Sequence, residues 1–131
     1  MKKFSKENNK YYFEYKQNNY YKNTDDFKIH ENLYRLGISA NLKGYTYILD
    51  ALKIVKTKKN IKITKDIYNV LATKYNTKSC NIESAIRKSI EIGLNRAYIE
   101  QVDTMFKNTI CFKRGKPTNF EFIITLSKNI W

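Results

Sequence analysis

Arginine is the residue type whose placement in this chain says most about chemistry. Of 25 basic residues only four are arginine, Arg35, Arg87, Arg96 and Arg114, and a guanidinium can grip a guanine edge or a phosphate bidentately where an ammonium offers a point charge. Arg87 has the most suggestive neighbours. Asn81, Glu83, Ser84, Arg87, Lys88 and Glu91 recur at spacings that put them on one polar face of a helix. The opposite face reads Ile82, Ala85, Ile86, Ile90, Gly93, Leu94 and Ala97, a continuous apolar stripe at helical period. Amide, carboxylate, hydroxyl and guanidinium side by side can bond both base edges and phosphates. A second basic feature, Lys113-Arg114-Gly115-Lys116-Pro117, contains the only proline. Such a loop adds phosphate contacts.

Other chemistries find little material. No Ser/His/Asp set, Gly-rich phosphate loop or pair of acids at metal spacing stands out among the twelve carboxylates, so the chain reads as a non-enzyme with no cofactor and no metal. His30 is the only histidine, on or beside an apolar helix face, and is expected to be a packed imidazole rather than a ligand or base. Cys80 and Cys111 lack the paired spacing of a zinc site and read as free thiols. The formal charge of +13 draws anions and places nucleic acid first among partners. Abundant Asn, Lys, Ile and Tyr also arise from AT-rich codons, so charge supplies only part of the case. The Met1-Lys2-Lys3 start is not followed by a signal peptide's apolar stretch, and no run approaches the roughly 18 apolar residues of a membrane span. A cytoplasmic, nucleoid-associated protein is expected, with no membrane partner.

The elements that must position these residues are helical. Residues 1–25 form an arm of Lys, Asn and Tyr without sustained periodicity, and residues 26–131 form one domain. Asp25 or Asp26 can cap a first helix with Phe27, Ile29/His30, Leu33 and Leu36 inward, ended by Gly37. Leu42, Tyr45, Ile48, Leu49, Leu52 and Val55 mark a second, with Lys53, Lys56, Lys58 and Lys59 toward its C-terminal end. Thr64 can cap a third, its buried stripe Ile67, Val70, Leu71 and Tyr75, until Asn76-Thr77 interrupts it. The fourth runs over about 81–96. Tyr98 to Phe106 is a short fifth, and Thr118 and Glu121 have capping-box spacing at the start of a sixth with Phe122, Ile123, Leu126 and Ile130 inward. Trp131 is expected to plug the end of the core or to help a dimer contact. The third and fourth helices, joined by a tight polar turn, have the spacing of a helix-turn-helix, although a plain solvated helix face gives the same pattern.

Several stretches occur together here: Asn41-Leu42-Lys43-Gly44-Tyr45, Ile63-Thr64-Lys65, Lys74-Tyr75-Asn76-Thr77 with Ile82-Glu83-Ser84-Ala85-Ile86-Arg87, and Lys116-Pro117-Thr118-Asn119-Phe120-Glu121-Phe122-Ile123. In that order and spacing, over about residues 29–131, they resemble the C-terminal DNA-binding domain of the sporulation master response regulator, stage zero sporulation protein A. The resemblance implies an all-α, six-helix bundle that binds short promoter boxes in double-stranded DNA, often as head-to-tail pairs. It implies that Glu83 and Arg87 contact the box from the recognition helix and that Lys116 reaches DNA from the basic loop.

The expected DNA-binding residues are thus Asn81, Glu83, Ser84, Arg87, Lys88, Arg114 and Lys116. Two positions depart from the family pattern. Ser84 stands where the family usually has arginine, and Asn81 replaces another basic residue, so sequence preference is expected to have drifted. Lys88, where histidine is common in the family, adds phosphate attraction without base choice. The Lys/Asn/Tyr arm is too short to fold as the family's phosphoacceptor receiver domain, so control by abundance or by a partner is expected. A transcription regulator is the leading reading. The alternative is an interaction module, or an antagonist of a full-length sporulation regulator, that has lost specific DNA reading; RNA polymerase is a further possible partner.

Overall fold

The computed structural model describes residues 24–97, 99–106 and 116–131, and for residues 99, 101 and 105 it describes the backbone alone. The arm over residues 1–23, the Cys111 thiol and the loop residues 107–115, Arg114 among them, lie outside the described residues. Six α-helices succeed one another, and no strand occurs among the described residues. The all-α expectation holds.

Helix α1 spans Asp25–Arg35. Its cap is Thr24, one residue before the expected aspartates, because the threonine hydroxyl accepts the Phe27 N–H at 3.2 Å. Asp25 and Asp26 occupy the first turn instead, where negative charge suits the helix dipole. Gly37 ends the helix as the sequence suggests. Its φ of +77° is left-handed, and bonds from Gly37 N–H to Tyr34 O and Ile38 N–H to Leu33 O complete a Schellman closure.

Helix α2, Tyr45–Thr57, buries Tyr45, Ile48, Ala51 and Leu52. A π-helical turn over Ile63–Tyr68 then leads into α3, Asn69–Lys74, which corrects the expected start. Thr64 caps nothing: Asp66 accepts the Lys62 N–H at 2.8 Å and faces the Lys58 ammonium at 3.1 Å. The Lys62 amide first, and Lys58 second, hold the Asp66 carboxyl below its ordinary value. Asn69 N–H reaches back five residues to Thr64 O, the wide spacing of a π-helical turn. The inward stripe becomes Ile67, Tyr68, Leu71 and Ala72, and Val70, expected inside, is 48% exposed.

Asn76, at φ +53°, turns the chain out of α3 with a second Schellman pair, Thr77 N–H to Ala72 O and Asn76 N–H to Thr73 O. Helix α4 spans Ser79–Arg96, beginning two residues before the expected start because residues 79 and 80 already hold helical backbone. Helix α5 is Ile99–Phe106, and α6 is Asn119–Ile130. The capping box is complete: Thr118 Oγ1 accepts the Glu121 N–H at 3.1 Å, and Glu121 Oε1 accepts the Thr118 N–H at 2.9 Å.

Every helix contributes to one apolar core, including Ile29, Leu33, Ile48, Leu52, Ile67, Leu71, Ile82, Ile86, Phe106, Phe122 and Leu126. His30 lies within it, as expected of a packed imidazole, with Nδ1 2.8 Å from the Tyr45 hydroxyl. Trp131 is half-buried against the core, under the Lys56 ammonium at 5.0 Å from its ring. The terminal-plug reading describes that position.

Candidate nucleic-acid interface

Helix α4 owes its position to two places where backbone meets backbone. Before α2, Gly44 lies against α4 so closely that its N–H donates to Ser89 Oγ at 2.9 Å, within a fully buried contact. Ser89 is 2% exposed, a polar residue inside the apolar stripe that the periodicity left unexplained. Its hydroxyl satisfies the amide at the start of α2, one of the orphan donors every helix start presents. Further along, Gly93 meets Gly37 and Ile38 at the end of α1. With Ile82, Ala85, Ile86 and Ile90 also buried, the inner face of α4 is fixed over nearly its whole length.

The outer face is consequently fixed too. Asn81, Glu83, Ser84, Arg87, Lys88 and Glu91 are all exposed, on the side away from the buried stripe. At 100° per residue Ser84, Arg87, Lys88 and Glu91 cluster about the middle of this face, with Asn81 and Glu83 on its two flanks. Asn81 is partly committed elsewhere, since its Nδ2 donates to Thr77 Oγ1 at 3.0 Å in the preceding turn. Cys80 is exposed one turn before Ser84, a member of this face that spacing alone did not single out.

Lys116 joins the same surface from another part of the chain. It is exposed, and its ammonium donates to Asn95 Oδ1 at 2.9 Å in the last turn of α4, some 12 Å along the axis from Arg87 by helical rise. Pro117 beside it is buried. The structure therefore brings together Glu83, Ser84, Arg87, Lys88 and Lys116, with Asn81 at the edge. Arg114 lies outside the described residues.

Ion pairs hold part of the lysine cluster. Lys53 pairs with Asp26, Lys56 with Asp25, Lys58 with Asp66 and Lys74 with Asp50, so much of the lysine cluster at the end of α2 is neutralised. Lys78, Arg87, Lys88, Arg96 and Lys116 have no carboxylate at ion-pair distance among the described residues. Lys28, Arg35, Lys43, Lys59, Lys62, Lys65 and Lys128 are equally without an ion pair among the described residues, so Arg87 and Lys88 are set apart by their place on the outer face of α4 rather than by being unpaired. Two more residues lie behind this surface that sequence reasoning missed, Tyr68 and Asn119. Burial raises the Tyr68 hydroxyl above the ordinary phenol value, the Asn119 hydrogen bond opposes that rise, and the charges of Glu83 and Arg87 are both felt there.

Among the described residues no group of three or more His, Cys, Asp and Glu side chains could hold a metal ion, and no helix is long and apolar enough to cross a membrane. The chain matches the family described as Sporulation initiation factor Spo0A C terminal over residues 29–130, from within α1 to the last residue of α6. That span takes in the helix pair, the outward face of α4 and the start of α6 in a single match. The chain belongs to the Spo0A C-terminal family, the DNA-binding effector domain of sporulation regulators.

Proposed function

We propose that this chain is a transcription regulator that reads double-stranded DNA by sequence, laying the outer face of α4 in the major groove. One observation carries the reading: Arg87 and Lys88 project from the face of α4 opposite its buried stripe, without carboxylate partners among the described residues, and Lys116 lies on the same surface. In this reading Arg87 bonds a base edge, and Glu83 accepts from a cytosine amine or orients Arg87. Ser84 and Asn81 tune the box preference. Lys88, Lys116 and Arg114 bind phosphates, which fixes register without conferring sequence choice. α3 crosses the backbone, as the first helix of such a pair does. In this reading the chain binds adjacent boxes as head-to-tail pairs, with RNA polymerase or a full-length sporulation regulator as a further partner. The role is binding rather than catalysis, at the nucleoid.

Selection of bound duplexes from a random pool tests this. Recovery of a shared box, with Arg87→Ala weakening it by about 1–3 kcal/mol while leaving random duplexes little affected, is the expected result. Salt-sensitive binding without any shared box would leave only an interaction module that has kept the fold.

A further inference from the structure

Asn119 is the first residue of α6, and it is 3% exposed. Its Nδ2 donates to the Tyr68 hydroxyl at 3.0 Å and to the Glu83 carbonyl oxygen at 3.2 Å. Tyr68 belongs to the turn that opens the first helix of the pair, and Glu83 to the turn of α4 that leads to Arg87. One amide thus bridges both halves of the helix-turn-helix from a third element. Its Oδ1 is buried with no hydrogen-bond partner among the described residues.

The same residue lies three positions after Lys116. The intervening path is stiff: Pro117 is buried, and the reciprocal bonds of Thr118 and Glu121 fix the backbone that enters α6. Lys116 in turn touches α4 at Asn95. Residues 116–119 therefore lie along α4 like a strut, tied near Glu83 at one end and at Asn95 at the other.

We propose that Asn119 is a positioning residue for DNA recognition, holding the Glu83–Arg87 turn and the Lys116 ammonium as one rigid surface. This rests on the proposed reading of α4 and names what keeps its two contact regions in register. A 1 Å error in that register would spoil base contacts while sparing looser attraction to phosphates.

The test compares the wild type, Asn119→Ala, Lys116→Ala and the double variant on a duplex carrying the selected box and on a scrambled duplex, over a salt series. Thermal melts monitor folding. Asn119→Ala is expected to lose about tenfold in preference for the box, the scale of one base contact, with binding to the scrambled duplex retained. Lys116→Ala is expected to flatten the log affinity against log salt slope by about 0.9 in the wild type and by clearly less once Asn119 is alanine. A merely structural asparagine would lower the melting temperature and leave both readouts unchanged in folded protein, and that result overturns the proposal. Should Asn119→Ala fail to melt cooperatively, Tyr68→Phe, which removes one anchor and keeps the ring, decides by the same readouts. A smaller loss of preference supports the proposal, and none overturns it. If the wild type itself prefers no box, the reading of α4 fails first, a distinct outcome.

Discussion

The backbone of Gly44 rests directly on that of Ala85: a Cβ built on Gly44 would stand 2.3 Å from the Ala85 carbonyl oxygen. Eight residues further along α4 the same closeness recurs, where a Cβ on Gly37 would stand 2.4 Å from the Gly93 carbonyl oxygen. Both contacts press on the inner side of α4. They set how far its outer face stands from the rest of the bundle.

Gly44→Ala is accordingly expected to cost about 1–3 kcal/mol, because the group it meets is backbone rather than a movable side chain. The Gly44 N–H to Ser89 bond would be strained by the same displacement. Urea unfolding of the two proteins measures this. A midpoint within error of the wild type would show that α2 and α4 can part without cost.

His30 provides a pH dependence. Burial pushes its imidazole below the ordinary histidine value, with the neighbouring Glu31 charge acting weakly the other way. The folded state therefore favours the neutral ring, and the unfolded chain takes up a proton first, near pH 6.5. The contribution of His30 to stability is complete above about pH 6.5 and is lost as pH falls through the interval between that value and the depressed folded one. Asp25 and Asp66, lowered mainly by Lys56 and by the Lys62 amide respectively, lose their contributions in a more acid range, below about pH 4. Melting curves of the wild type should fall between pH 7 and 5 more steeply than those of His30→Gln. Parallel curves would rule out His30 as the source of the dependence.

Ser84 sits near the middle of the outward face, exposed and without a described side-chain partner. Where the family usually carries arginine, Ser84→Arg adds a bidentate donor without disturbing the core. The variant should bind the family's usual box more tightly, by about 1–3 kcal/mol, with a stability close to wild type. Equal tightening on scrambled duplexes would mean that only charge had been added.

Cys80 offers a footprint of the interface. Its thiol is exposed in the first turn of α4, on the same side as Ser84. In a Cys111→Ser background, alkylation of Cys80 should be fast in free protein and several-fold slower with a bound duplex, since a helix lying in the groove covers its first turns. An unchanged rate at saturating DNA would place the duplex elsewhere.

The sequence by itself determined whatever consecutive residues encode. Helical period, the left-handed stop at Gly37, the turn at Asn76 and the reciprocal cap of Thr118 and Glu121 each depend on a few adjacent positions, as does the polar face of α4. The family pattern was legible for the same reason, because its motifs are short and ordered. Tertiary structure decided the features that depend on residues far apart in the chain. The π-helical turn, the Asp66 bond to the Lys62 amide and the exposed position of Val70 depend on how this segment seats on its neighbours. Ser89, a hydroxyl within the apolar stripe, has its partner in Gly44, 45 residues away in the chain. Asn119 finds its acceptors in Tyr68 and Glu83, 51 and 36 residues away in the chain. Periodicity shows which way a side chain points relative to its own helix; only packing shows which distant donor, acceptor or charge waits there.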